Sequence, residues 1–260
     1  MKTNLKLRFA IFCCALLFGF SFITTTVLAQ NASCNADDYC VSPHSWSLWA
    51  TTTQTVPITI NGVTCDVTFG YKFRYCGNKI QIKPISWTLP DPTTCAWAAT
   101  LQTYMDNDNW TAAQVITKQV WIQGAKRLGE VKFLDFRNNN STPTDFDCSE
   151  PDPSCNSIAG VVEVITIWAK CYEEIETSGA GSTGTSLCPI TYYFEDCSME
   201  GCCILSRKMC YNSGIIRVCE SWSVGGGTVQ CEGNATFVPP FPCIIRYRSG
   251  CMPFNCEESD

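Results

Sequence analysis

Twenty cysteines against a single histidine, His44, limit what this chain can become. Cysteine at that density reads as a disulfide framework in an oxidising compartment. Two of the twenty, Cys13 and Cys14, fall inside what reads as an export signal: Lys2, Lys6 and Arg8 precede the apolar run Phe9 to Ile23, and Val27-Leu28-Ala29 offers a cleavage site. The run is about 15 residues, short of the roughly 20 that span a bilayer. The expected product therefore starts at Gln30 with eighteen cysteines: Cys34, Cys40, Cys65, Cys76, Cys95, Cys148, Cys155, Cys171, Cys188, Cys197, Cys202, Cys203, Cys210, Cys219, Cys231, Cys243, Cys251 and Cys256. Five precede the cysteine-free stretch between Cys95 and Cys148, and thirteen follow it. Both numbers are odd. Either a bridge joins the two groups within one molecule, or one cysteine of each pairs with a neighbouring molecule.

Loss of Lys2, Lys6 and Arg8 leaves 15 Lys and Arg against 24 Asp and Glu. Such a surface repels nucleic acid and anionic membranes. No later apolar stretch is long enough for a membrane span. The expected location is secreted, extracellular or cell-surface, and the expected partners are copies of the chain itself, other extracellular proteins, or glycans.

The fold class predicted is mainly β, with antiparallel meanders of sandwich-like kind, a small two-helix insertion, and many disulfides. Residues 30–92 read as an N-terminal meander, 93–127 as the helical insertion, and 128–260 as a cysteine-rich β region tied covalently to the first part. In Val63, Cys65, Val67, Phe69, Tyr71, Phe73 and Tyr75 every second residue is apolar, with Thr64, Asp66, Thr68, Lys72 and Arg74 between them, the pattern of a strand with one buried and one wet face. Asn61-Gly62 before it is a strong hairpin signal, and Gly77-Asn78 turns the chain into a third strand. The aromatic ladder of Phe69 to Tyr75 is read as core, with the helical segment as its cover; an exposed ladder would instead stack sugars.

Thr93 or Thr94 is the expected cap of a first helix that Asp106-Asn107-Asp108-Asn109 breaks. A second starts at Thr111, with Gln114 completing a capping box, and stops at Gly124 or Gly129. Glu130 to Phe136 reads as a strand. From Val161 the apolar residues occupy both faces, as in a strand buried on both sides. Cysteine-punctuated strands follow near 189–195, 203–211, 214–222 and 243–248. Cys76-Gly77-Asn78 followed by Ser86-Trp87 resembles Cys210-Tyr211-Asn212 followed by Ser221-Trp222, as a duplicated hairpin anchored by its cysteine would.

Few motifs carry chemistry. Gly179-Ala180-Gly181-Ser182-Thr183-Gly184 matches a dinucleotide-binding spacing, yet no amphipathic helix follows it. A zinc site would need an all-cysteine ligand set, and no C-x-x-C exists. His44 lies among Ser42, Pro43 and Ser45 as a surface or turn residue. No cofactor is expected. Asp106, Asp108, Asp145 and Asp147 are weak calcium ligands, since Trp110 breaks the EF-hand pattern. Glu163, Glu173, Glu174, Glu195 and Asp196 lie on or beside strands and supply carboxylates for acid–base chemistry, although their spacing selects no pair. Sequons at Asn31, Asn109, Asn139, Asn140 and Asn234 mark surface if the host glycosylates.

Three function classes remain. The first is a non-catalytic extracellular structural or adhesive protein, in which a hydrophobic edge strand could pair between molecules. The second is a binding module for glycan or protein, and the third a carboxylate-dependent hydrolase.

Overall fold

The computed structural model describes residues 39–40, 43–148, 160–179, 191–197, 202–225, 231, 235, 238–253 and 256. The export signal, Cys34, Cys155, Cys188, Asn31, Asn234 and most of the glycine-rich loop at 179–184 lie outside them. The chain is mainly β with two helices. Its first hairpin joins β1 (Ala50–Ile60) to β2 (Val63–Cys76) through Asn61 and Gly62, both at positive φ of 50° and 79°. That is the turn whose twist matches paired strands, and asparagine with glycine adopts it at least cost. Gly77, also at positive φ, leads into β3 (Lys79–Thr88).

β3 is where the sheet forks. One edge pairs with β2 throughout, while the other pairs first with β4 (Val162–Ala169) and then with β6 (Thr191–Asp196). The changeover falls near Pro84 and Ile85, beside a bulge opposite Gly70 and Tyr71. Proline cannot donate to a ladder, so a place between two partners suits it. The pairing of β3 with β4 is parallel, which a purely antiparallel meander would not contain. Parallel pairing needs a long crossover, and the helical segment is that crossover.

From the fork, one wing continues β4, β7 (Cys202–Asn212) and β8 (Ile215–Gly225). The other runs β6, β5 (Cys171–Ser178), and then β9 (Ile244–Arg248) and β10 (Met252–Pro253), which share the far edge of β5. Only Lys170 separates β4 from β5, so the chain crosses between wings at that residue.

Two helices cover the sheet: α1 (Ala96–Asp106) and α2 (Trp110–Asn138). α2 packs on β1, β3 and β4. Phe69 and Tyr71 of the ladder are fully buried beneath it, Phe69 edge-on to Trp121 at 6.2 Å and Tyr75 beside Phe136 at 5.4 Å. No helix among the described residues is long and apolar enough to cross a membrane.

Several local expectations are corrected. α2 stops at neither Gly124 nor Gly129, and residues 130–136 are helix, not strand; the insertion expected to end at 127 runs to Asn138. Both glycines face the sheet. A Cβ on Gly124 would lie 2.2 Å from the Phe69 ring, so glycine here serves close approach, not termination. The cap of α2 is Asn109, whose side chain accepts from the Ala112 N–H, two residues before the expected Thr111. α1 begins after Cys95 with no side-chain cap; Thr93 instead bonds the Asp91 carboxylate. Arg74, placed on the wet face, is buried: the segment before β1 crosses that end of β2, setting Trp46 and Trp49 over its guanidinium at 4.6 and 4.4 Å. The two Cys/Trp hairpins differ in register. Cys76 is opposite Lys79 at the turn, whereas Cys210 is opposite Arg217, further from the turn at Ser213-Gly214.

Disulfides fasten these elements: Cys40–Cys76, Cys65–Cys95, Cys148–Cys210, Cys171–Cys231, Cys197–Cys251 and Cys203–Cys256. Cys202, Cys219 and Cys243 are bridged as well. Because Cys203 pairs with Cys256, the adjacent Cys202 and Cys203 belong to separate bridges. Pairing of Cys40 with Cys76 and of Cys65 with Cys95 leaves Cys34 as the odd member of the first group.

Candidate functional site

Side chains alternate across a strand, so the neighbours Glu173 and Glu174 of β5 enter different surroundings. Register decides which. Glu173 is opposite Glu195 of β6, which in turn is opposite Ser86 of β3. Glu174 is opposite Phe194, whose ring stacks on Trp87 at 3.8 Å in the core.

On the outer face, Glu173 is completely buried and clamps a loop. Its Oε2 accepts from the Ala235 N–H at 2.7 Å and from Arg248 Nη1 at 2.9 Å, and the same Nη1 donates to the Ala235 carbonyl. Burial, and after it the charge of Asp196, pushes Glu195 up to about 8, with the Ser86 hydrogen bond opposing and Glu173 adding to the rise. Glu195 thus holds its proton opposite Glu173 and its Arg248 partner, which relieves the repulsion between two carboxyls set across from each other. Asp196 is raised by burial, against the nearby Lys83 at 3.3 Å.

The inner face holds a second cluster. Tyr172, Glu174 and Glu176 occupy alternate positions of β5, and Tyr192 and Tyr247 stand opposite Glu176 on β6 and β9. The end of α1 adds Asp106, whose Oδ1 accepts from the Tyr192 hydroxyl at 3.4 Å, and Gln102 one turn earlier also bonds that hydroxyl. Trp110, first residue of α2, lies parallel to Tyr247 with centroids 6.3 Å apart.

Glu174 is the most strained member electrostatically. It is 2% exposed, and no hydrogen bond or ion pair among the described residues reaches its carboxyl. Burial first, then the charges of Asp106 and Glu176, pushes it up to about 8. Burial likewise raises Tyr172, with the Glu174 charge behind it and a Thr117 hydrogen bond opposing. Tyr192 goes up to about 12 by burial and then by Asp106 and Glu176.

Tyr192 also lines a cavity of about 420 Å³. Its remaining wall is the β3–α1 loop, Leu89 to Pro92, together with Gln102 and Thr191. Aromatic ring, proline faces, carboxamide, hydroxyl and the Asp91 carboxylate therefore surround one space that borders the acidic cluster at Tyr192.

The five acids singled out in the sequence are thus divided. Glu173 and Glu195 face each other outside, Glu174 lies inside, and Asp196 reaches Lys83. Glu163 stands apart on β4, bound to Lys79 at 2.8 Å and to Ser206 at 2.9 Å. The expected calcium ligands do not assemble. Asp147 is paired with Arg137 at 2.8 Å, Asp145 accepts from Thr142, and among the described residues no three acids, cysteines or histidines gather as a metal site. His44 is exposed and lies against the turn glycine Gly77. Gln102, Glu176, Tyr172, Tyr192 and Tyr247 were not singled out. The Tyr172-x-Glu174-x-Glu176 spacing was a readable sign of one strand face.

Asn109 and Asn139, two of the sequon residues, are exposed at the two ends of α2, as its N-cap and C-cap. Comparison with protein-family models, with curated proteins and with solved structures finds no match to this chain.

Proposed function

We propose that this chain is an extracellular, disulfide-braced, non-catalytic adhesive protein that holds a glycan in the cleft at Tyr192. The observation carrying this reading is the mixed wall of the 420 Å³ cavity. Sugars present apolar ring faces and a rim of hydroxyls, and sites that bind them combine flat apolar surface with a few convergent polar groups. Tyr192, Pro90 and Pro92 supply the first, while Gln102, Asp91 and Thr191 supply the second. The covalent bracing supports a location outside the cell, where disulfides persist. Adhesion suits a rigid scaffold, because a preorganised cleft loses little entropy on binding.

The test is binding of the exported chain to a panel of oligosaccharides, with Tyr192→Ala and Gln102→Ala as variants and circular dichroism to verify folding. We expect saturable binding that falls about tenfold or more in each folded variant, as loss of a stacking face or a directed hydrogen bond implies. Binding that is absent, or equal in the variants, overturns the proposal.

A hydrolase is the second reading, favoured by Glu174. A carboxyl that keeps its proton at neutral pH beside two other carboxylates is the arrangement that general acid catalysis uses. Release of reducing ends from a bound oligosaccharide, abolished in Glu174→Gln, would establish that reading in place of the first.

A further inference from the structure

Resting on the glycan-binding reading, we infer that the cleft at Tyr192 selects uncharged sugars and turns away acidic ones, with Asp91 as the residue that decides. Among the described residues no lysine, arginine or histidine lines the cavity, and Asp91 is the one charged group that does. Donors are scarce along the same wall.

The scarcity in the β3–α1 loop begins with its prolines. Pro90 and Pro92 have no N–H, and the Leu89 N–H is spent on the Tyr192 carbonyl at 3.0 Å. Side chains on the facing wall are partly committed as well. Gln102 bonds the Tyr192 hydroxyl, and that hydroxyl donates its own proton to Asp106 Oδ1 at 3.4 Å. Tyr192 thus has its ring, and not its proton, to offer a ligand.

Asp91 is an acceptor held in place. Its Oδ1 accepts from the N–H and the hydroxyl of Thr93, both at 2.8 Å, and its main-chain carbonyl accepts from the N–H groups of Thr94 and Cys95 at 3.1 and 3.0 Å. The two Thr93 bonds hold the carboxyl below its ordinary value, so it is ionised at neutral pH. Its Oδ2 accepts from no described residue. An ionised carboxylate only accepts, and bonds to a charged acceptor are the stronger class. A sugar hydroxyl supplies the donor that this oxygen lacks.

A carboxylate or sulfate on the sugar does the opposite. It brings further acceptors to a wall short of donors, and a negative charge toward Asp91 with no cation on the wall to receive it. Asp106 and Glu176, behind Tyr192, act on its hydroxyl with the same sign. The chain as a whole, with 18 Lys and Arg against 24 Asp and Glu, adds to that field. Discrimination of this kind comes from repelling the wrong ligand as much as from attracting the right one.

The experiment is calorimetric titration of the full exported chain, at about pH 7, with tetrasaccharides of glucose, mannose and galactose and with linkage-matched tetrasaccharides of glucuronate, mannuronate and galacturonate, which differ from them by the C6 carboxylate. We expect a neutral sugar to bind about tenfold more tightly than its uronate counterpart, the ratio widening as salt is lowered. Asp91→Asn keeps a side-chain oxygen for the Thr93 bonds and removes only the charge. In that variant the uronate should gain affinity and the neutral sugar lose it, bringing the ratio to about twofold or less. A gain for the uronate cannot come from a misfolded chain. Equal or reversed preference in the parent overturns this inference and leaves glycan binding standing. A ratio unchanged in Asp91→Asn overturns the assignment to Asp91. Failure of every sugar removes the glycan reading as well.

Discussion

The side chain of Gln123 closes on the backbone of Thr59 as a strand one residue long would. Its Nε2 donates to the Thr59 carbonyl at 2.7 Å, and its Oε1 accepts from the Thr59 N–H at 3.0 Å. β1 is paired on one side only by β2, so Thr59 turns its amide and carbonyl toward the other edge. Pro57, two residues earlier, points the same way, and its missing N–H costs no ladder bond there. An edge that offers few free donors resists pairing with another chain.

Gln123→Ala should therefore act twice. Loss of two hydrogen bonds lowers stability by about 1–2 kcal/mol in urea unfolding. Light scattering should also reveal more association than in the parent chain. Unchanged scattering at matched concentration would separate Gln123 from edge protection.

The two helix glycines should respond differently to alanine. A Cβ at Gly124 meets three Phe69 ring atoms within 2.8 Å, and that ring is fully buried. A Cβ at Gly129 meets Val164 Cγ1 at 3.3 Å and Met209 Cε at 3.6 Å. Overpacking costs about 1–3 kcal/mol, whereas alanine gains about 1 kcal/mol over glycine within a helix. Gly124→Ala should thus be clearly destabilising and Gly129→Ala near neutral. Pairing Gly124→Ala with Phe69→Leu should recover part of the loss, which a double-mutant cycle measures.

Acid and base should not act symmetrically on this chain. Glu174 and Glu195 are each raised from 4.5 to about 8, mainly by burial. Between those values the folded chain keeps protons that the unfolded chain releases, so the contribution of both groups is full below about pH 4.5 and lost as the pH rises through about 8. Thermal unfolding of Glu174→Gln and Glu195→Gln should gain on the parent steadily across that interval. Parallel pH profiles would show that neither carboxyl is protonated in the fold.

Cys65–Cys95 joins β2 to the residue that precedes α1, a helix whose start has no side-chain cap. The bridge closes 30 residues, and its removal by a double serine substitution should cost about 2–4 kcal/mol. Hydrogen exchange should quicken first in α1, where the covalent anchor is lost. Uniform acceleration across the sheet would argue that the bridge acts only on the unfolded chain.

Much of the architecture was legible because it is local. Alternation over Val63 to Tyr75, the Asn61-Gly62 turn, the doubly buried β4 and the hairpins toward the C-terminus all reflect spacing along the chain. What misled was residue type read without partners. Gly124 and Gly129 looked like stops because glycine often ends a helix, yet its smallness was needed against Phe69 and Val164. Arg74 looked wet because its place on the alternation is polar, and only the return of Trp46 and Trp49 across β2 buries it.

The site was less legible still. The acids were visible, but the difference between Glu173 and Glu174 arises from strand register and from which segment covers each face. Chain composition alone established a cystine-braced β protein with a negative surface, since cysteine count, periodicity and turn residues act within short windows. Tertiary structure alone decided the fork at β3, the capped edge of β1 and the meeting of Asp106 with Tyr192. Those depend on contacts between distant segments, and burial there changes what a carboxyl does.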